Sequence, residues 1–437
     1  MNKWFTLLMI LPLSAGAQTL EECQQAAEQN YPLIRQYQLI SKTTELTVSN
    51  IAKAWLPQVT ASAQATFQSD VTAFPDEMQS IYRQAGIDMK GLKKDQYRLG
   101  IDVQQTVYDG GTIRSNRDIA RRQGELQEAQ TEVSLYQVRR RVNEMYFALL
   151  LLDEQIKLNN DLQELLAQNE KKLASMLKNG TAAESDWQNV KAERLNVMQQ
   201  MTSLQAQRNT LLRMLSAFCG IEVKQALKPN PGTAAANSSL HTPKDSSLFT
   251  LHSSLQRPEL KAFDAQLRLS DAQEQSLNAA LMPKLGVFAQ GWYGYPGYNM
   301  FEDMMRHNWS LNGMVGARLT WNIGALYTRH NDKHKLRLQR DLNENNREVF
   351  LFNNRLEQIQ QNENIERYRK LMADDEEIIA LRCNIRKAAE SKLQHGIIDV
   401  NDLVREINNE NAARVQHSVH EIEMLKEISD LKFTLNN

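Results

Sequence analysis

The chain is poor in the residues that interrupt helices. Its 437 residues include ten prolines and eighteen glycines, and these are clustered, which leaves room for very long helices. Cysteine is scarcer still. Cys23, Cys219 and Cys383 lie far apart with no CxxC spacing, so neither a zinc ligand set nor a disulfide framework is indicated. Charge of one sign is absent too. The 51 Lys and Arg meet 52 Asp and Glu, for a net charge of −1. With no basic tail, that balance excludes nucleic acid as the main partner. Apolar residues reach 42%, yet mean hydropathy is −0.53 and the longest mainly apolar stretch is Trp4 to Leu13. A helical span needs roughly 20 apolar residues, so a polytopic helical membrane protein is excluded. With Lys3 before it and Ala15-Gly16-Ala17 after it, the run predicts a secretory signal peptide over residues 1–17. Its removal leaves a charge of −2. No Cys immediately follows the cleavage site, so no lipid anchor is indicated there.

What is present is a duplication. Residues 18–222 and 257–437 each predict helix, strand, loop, strand, long helix, tip, helix, and a Pro-, Ser- and Thr-containing linker over 223–256 separates them. In both halves a proline, Pro57 or Pro283, marks the change from helix to strand. The period then becomes two over about 57–69, 97–108, 283–293 and 309–323. Leu99, Ile101 and Val103 alternate with Arg98 and Asp102, and Val315, Ala317 and Leu319 flank Arg318. Strands of about ten residues, apolar on one face and charged on the other, match those of a membrane barrel. Aromatics near the strand ends (Tyr108, Trp292, Tyr293, Tyr295, Trp309, Trp321) predict an interfacial girdle. Segments 69–96 and 294–309 are expected to be the two outer loops.

From Gly111 to Gly180 and from Gly324 to Gly396 the pattern is helical, each stretch roughly 100 Å long at 1.5 Å per residue. Leu135, Val138, Val142, Met145, Leu149, Leu152 and Ile156 step by three and four, and Val349, Phe352, Leu356 and Ile359 repeat the rhythm of a coiled coil. Four strands cannot close a barrel whose small versions use eight, and open edges in lipid cost several kcal/mol per unpaired group. The chain therefore has to oligomerise, and these arguments alone permit two or more copies.

The residues resemble those of the TolC family of outer-membrane efflux and secretion channels. The likeness covers nearly the whole mature chain. It rests on Thr19-Leu20-Glu21-Glu22-Cys23 with Ala26, Asn30 and Pro32, on Leu56-Pro57-Gln58-Val59, on Val107-Tyr108-Asp109-Gly110-Gly111, and on Trp321-Asn322-Ile323-Gly324 in the second half. The resemblance implies a mainly α fold, four strands per protomer in a trimeric twelve-stranded barrel, and a periplasmic helical tunnel. It also implies a periplasmic adaptor and an inner-membrane transporter of RND or ABC type as partners. The expected role is the exit duct of a tripartite efflux pump in the outer membrane. A type I protein secretion duct and a periplasmic coiled-coil scaffold are the alternatives.

The two tips align without that resemblance. Gly180 is followed six residues on by Asp186, and Gly396 six residues on by Asp402. A glycine suits a helix C-terminus, and a carboxylate suits the first turn of the next helix, so capping alone accounts for both positions. By family resemblance these turns form the periplasmic aperture, and Asp402 matches an acidic position that lines it. Ile398 and Arg405 depart from the family's pattern there. The barrel interior is expected to carry Arg98, Asp102 and Arg318, and the helix–strand junctions Pro57, Gly110, Gly111, Pro283 and Gly324. Nothing predicts catalysis. His330/His334 and His417/His420 lack a third ligand and read as solvated, as does the acidic run Asp374–Glu377, and no P-loop, GxSxG or dinucleotide fingerprint occurs. No metal and no cofactor are expected.

Overall fold

The computed structural model describes residues 18–229 and 257–436; the expected signal peptide and most of the expected linker lie outside them. Helices α1 (Leu20–Asn30) and α2 (Leu33–Ala52) lead to strand β1 (Gln58–Phe67), then α3 (Asp76–Gln84) and β2 (Asp95–Tyr108). Two long helices follow, α4 (Thr112–Lys178) and α5 (Glu184–Cys219). The second repeat runs α6 (Pro258–Ala280), β3 (Lys284–Tyr295), α7 (Met300–Arg306), β4 (Ser310–Thr320), α8 (Ala325–Gln394) and α9 (Val400–Leu435).

Local chemistry sets these bounds. Thr19 caps α1 by accepting from the Glu22 amide at 3.2 Å, and Glu22 accepts from the Thr19 amide at 2.9 Å, a reciprocal capping box. The one helix expected to open the first repeat breaks before Pro32, where Tyr31 turns extended at φ −62° and ψ 131°, as a residue preceding proline is pushed to do. Each outer loop holds a short helix that periodicity did not foretell: α3 of nine residues and α7 of seven. Strand β4 stops at Thr320 rather than 323, because its partner β3 begins only at Lys284, after Pro283.

By contacts the chain forms two compact units, each drawing on both repeats. One comprises residues 38–128 and 262–345, the other residues up to 37, 129–261 and 346 onward. The first unit is built on one antiparallel sheet in the order β1-β2-β3-β4, in which the two hairpins pair through β2 and β3. Its helices are tied by ion pairs of Arg340 to Asp271 (2.6 Å) and Glu274 (2.9 Å), and of Lys333 to Glu274 (3.3 Å). Gly124 on α4 faces Thr44 on α2 so closely that a Cβ there would meet the threonine hydroxyl at 2.4 Å.

The second unit is helical. One apolar core joins α1, α4, α5 and α9 around Val142, Tyr146, Leu149, Leu215 and Ile422, and Val223 and Ala226 of the expected linker pack into it. Tyr146 donates to the Leu227 carbonyl at 2.7 Å, fixing that segment. The coiled-coil stripe of α4 is buried here, with Val138, Val142, Leu149 and Leu152 at most 8% exposed. The matching stripe of α8 is bare: Val349, Phe352, Leu356 and Ile359 are about half exposed or more.

Candidate functional site

The sheet register decides what its two faces can do. Val59 pairs with Val103, Val103 with Ala289, and Ala289 with Val315, so one face carries an apolar row through all four strands. Ala61, Ile101, Leu99, Ala63, Val287, Ala317, Leu285 and Leu319 extend it in the same registers. The opposite face carries Thr60, Asp102, Gln290 and Met314 in one row, with Gln64 and Arg98 in another and Arg318 opposite Gly286. The three charged residues expected together, Arg98, Asp102 and Arg318, therefore share a face.

Burial across this sheet is inverted. Along β2 the apolar Tyr97, Leu99 and Ile101 are exposed, while Gln96, Arg98, Gly100 and Asp102 are half-buried. On β4, Leu311, Val315 and Leu319 are 83%, 82% and 70% exposed. A water-facing sheet packs its apolar side inward. Here the polar side is the more enclosed one, and it carries aromatic partners for its cations. The Arg98 guanidinium lies 3.9 Å over the Trp292 ring, and Arg318 lies 5.2 Å from that of Phe288. A cation over an aromatic face is attracted by the ring quadrupole.

Trp292 thus departs from the girdle expectation: it alternates onto the polar face and is buried, in edge contact with Tyr298. Tyr295 departs as well, buried where its hydroxyl accepts from the Lys93 amide at 2.9 Å. The apolar face instead has an aromatic cluster at its loop end, with Trp309 stacked on Tyr97 (5.9 Å) and tilted against Tyr293 (5.4 Å). At the other end Trp55, Tyr108 and Trp321 are exposed, and the Trp321 indole donates to the Leu281 carbonyl at 3.0 Å.

The helix–strand junctions lie at that second end. Pro57 and Pro283 immediately precede β1 and β3. Gly110 and Gly111 have φ of 68° and 86°, and a Cβ on Gly110 would lie 2.4 Å from that of Met282. Asp109, buried and given no role of its own by the sequence, accepts from the amides of Gly111 (2.9 Å) and Ile113, capping α4. Gly324 has no left-handed φ; α8 is entered through an ordinary turn in which the Leu326 amide donates to the Ile323 carbonyl.

The helical unit brings the two tips into one core, in which Leu166, Leu173, Val190, Ala389, Val400, Leu403 and Ile407 pack together. Asn189 bonds Asn401, and Asn408 donates to Glu193 at 2.8 Å, so α5 is tied to α9. Gly180 (φ 72°) and Gly396 (φ 67°) end α4 and α8 in the left-handed conformation. Asp186 accepts from the Ala183 amide at 3.4 Å, half of a capping box. At the second tip Asp399 does the capping, accepting from the Asp402 amide at 2.9 Å. Asp402 itself is paired with the exposed Arg405 at 2.7 Å. The arginine that departs from the family pattern therefore neutralises the carboxylate expected to act.

Two further clusters lie between α8 and α9. Glu410, 7% exposed at its side chain, is gripped by Arg386 (2.5 Å) and Arg414 (2.7 Å). Burial alone would raise its pKa, but the two guanidiniums outweigh this and hold the carboxyl below its usual range. Asp375, expected to be solvated, is buried and accepts from His420 at 2.6 Å, with His417 at 3.8 Å. His330 and His334 are exposed, as expected. Among the described residues no group of three or more His, Cys, Asp or Glu could hold a metal, and no helix is long and apolar enough to cross a membrane.

Residues 23–220 match the model of a family described as outer membrane efflux protein. No curated protein matches the chain in sequence. In fold the chain is similar to the outer-membrane channel OprN, with a TM-score of 0.64 and 14% identity over 95% of this chain and 89% of that one. It is similar to CusC, described for its folding and transmembrane channel formation, with a TM-score of 0.67 and 13% identity over 95% and 91% of the two chains. It is also similar to the CmeC outer membrane channel of Campylobacter jejuni, with a TM-score of 0.63 and 13% identity over 95% and 85%.

Proposed function

We propose, from the premise that this chain belongs to the outer membrane efflux protein family, that it is the passive exit duct of a tripartite efflux assembly. Family membership makes it a channel and not an enzyme. The observation that carries the finer reading is the inverted sheet. An apolar face more exposed than its polar face is stable only where that face meets lipid, and the polar face then lines a water-filled interior. Arg98, Asp102 and Arg318 are then lumenal. Tyr97 and Tyr108 lie eleven residues apart, about 36 Å along the strand. At a barrel tilt of about 35–45° this projects to about 25–30 Å, the height of an apolar band between its aromatic girdles.

Strands β1 and β4 are the sheet's edges, and lipid does not tolerate unpaired backbone groups. Edge β1 of one copy pairs with edge β4 of the next, and three copies give the twelve strands of the family's barrel. The bare stripe of α8 supports the same assembly, since the described residues of its own chain leave it about half exposed or more. A periplasmic scaffold does not fit, because it would hold Leu311, Val315 and Leu319 in water. The tips at Gly180 and Gly396 are the aperture and the docking point for a periplasmic adaptor, which connects the duct to an inner-membrane transporter of RND or ABC type. The test is a photo-crosslinking residue at Asn179 or His395 in cells expressing the whole system. The expected product is a covalent adduct between heat-modifiable outer-membrane oligomers and a membrane-fusion adaptor. Well-assembled oligomers that capture no adaptor from either tip would reject the docking assignment.

A further inference from the structure

The three cysteines, unrelated by spacing, are not equally placed in the fold. Cys23 on α1 and Cys219 at the end of α5 belong to one apolar core, 0% and 2% exposed, although 196 positions separate them. The Cys219 thiol donates to the Cys23 carbonyl oxygen at 3.4 Å, which brings the two cysteines together in that core. The contact is held from several sides. Asn30, at the end of α1, donates to the carbonyls of Ala217 and Phe218 at 3.2 Å each. Tyr31 stacks on Phe218 at 5.8 Å, and Gly220 leaves the space that the Asn30 amide fills. Cys383 lies on α8 and belongs to no such cluster.

We propose that Cys23 and Cys219 are joined as a disulfide during export, stapling the first helix to the end of the first repeat and leaving Cys383 as the odd thiol. Delivery to the outer membrane takes the chain through an oxidising compartment, where adjacent thiols are oxidised. The oxidant is a protein disulfide of the thiol-oxidase class. The thiolate of Cys219 attacks one sulfur of that disulfide and forms a mixed disulfide. The Cys23 thiolate then attacks the Cys219 sulfur, the Cys23–Cys219 bond forms, and the oxidant leaves as a dithiol. Two electrons pass to the oxidant, and the two thiol protons are taken up by its departing sulfurs. Both sulfurs are buried once α1 docks, so oxidation accompanies folding and the finished bond is shielded from reductant.

Helix α1 has only eleven residues, too few to be stable alone, and it opens the described chain. A covalent tie there adds to the packing and capping that already hold it.

The test uses the full chain recovered from the outer membranes of a host that has its periplasmic thiol oxidase. The protein is denatured in the presence of N-ethylmaleimide and weighed by mass spectrometry. One adduct, on Cys383, is expected without reduction and three after reduction, with a crosslinked peptide containing Cys23 and Cys219 in a non-reducing digest. In C383S the expected counts are zero and two. Three adducts on unreduced wild type, a cross-link through Cys383, or separate small-thiol caps on Cys23 and Cys219 would each overturn the proposal. The proposal rests on export through that compartment, and recovery of the chain in the outer-membrane fraction tests export separately from the thiol count.

Discussion

Residues 314 and 315 offer a controlled perturbation of the sheet, since they are adjacent on β4, both apolar, and take opposite faces. Val315 is the sixth of eleven residues, 82% exposed, and continues the row Val59, Val103, Ala289. Met314 continues the row Thr60, Asp102, Gln290. Arginine on the lipid face at the bilayer midplane costs about 2–4 kcal/mol, falling to about 0–1 near the interfaces. Val315→Arg therefore loses roughly a factor of a hundred in folding equilibrium per copy. In a three-copy barrel the penalty is about 6–12 kcal/mol, since each copy contributes its own charge. Met314→Arg puts the same charge in a water-filled interior on the row of Asp102 and is expected to be close to neutral. The assay is the fraction of heat-modifiable oligomer in outer membranes, followed by urea unfolding of both variants in lipid vesicles. Were the sheet water-facing, an 82% exposed Val315→Arg would stay within about 0.5 kcal/mol of wild type, and Met314→Arg would be the damaging one. Equal stability of the two variants, or that reversed order, refutes the lipid-facing assignment.

Two other outcomes follow from the helical unit. The folded-state pKa of Glu410 lies below its unfolded value, so its ion pairs stabilise the fold above the ordinary carboxylate range, and that stabilisation is lost as pH falls through the folded-state pKa. Glu410→Gln should cost about 2 kcal/mol at pH 7, and in thermal melts the gap to wild type should close as pH falls through the carboxylate range; a gap that persists in acid would mean that lost packing, not lost charge, is being measured. At the second tip, Asp402→Ala removes the nearer of the two carboxylates beside Arg405, leaving Glu406 at 3.7 Å, and should move bilayer reversal potentials toward anions, whereas Arg405→Ala should move them toward cations. Shifts of the same sign, or none in well-assembled channels, would place this pair away from the conduction path and leave capping as its role.

The sheet was legible because its two faces differ so strongly. A period-two pattern with charge on one side and Leu, Ile and Val on the other fixes which residues share a face, and it placed Arg98, Asp102 and Arg318 together. It could not place Trp292 and Phe288, because an aromatic in an alternating strand reads as apolar until a cation is found beneath it. The loop helices were missed for their length. Periodicity is weak over nine or seven residues, and only Pro75 with Asp76 and Glu77 in the first turn, or the Asn299 cap bonded to the Glu302 amide, could have signalled them. Asp375 and the two histidines were misread as solvated because each helix was considered alone.

Folding each long hairpin about its tip glycine recovers such pairs. In an antiparallel helix pair, residues at similar distances on either side of the turn lie side by side. Asp375 stands twenty-one residues before Gly396 and His417 twenty-one after it, and they meet. The rule then applies to both repeats at once. Arg386 and Glu410 stand ten before and fourteen after Gly396, and are bonded. Glu170 and Arg194 stand ten before and fourteen after Gly180, and are bonded at 2.6 Å. The same clasp thus recurs in both halves with its charges exchanged. That exchange separates what the duplication holds fixed from what it leaves free. Where one helix carries an ion at that station the other has to supply its opposite, because a partly buried ion left unpaired is costly. Which helix carries the cation is indifferent to the hairpin's own stability, and so the two halves have been free to differ.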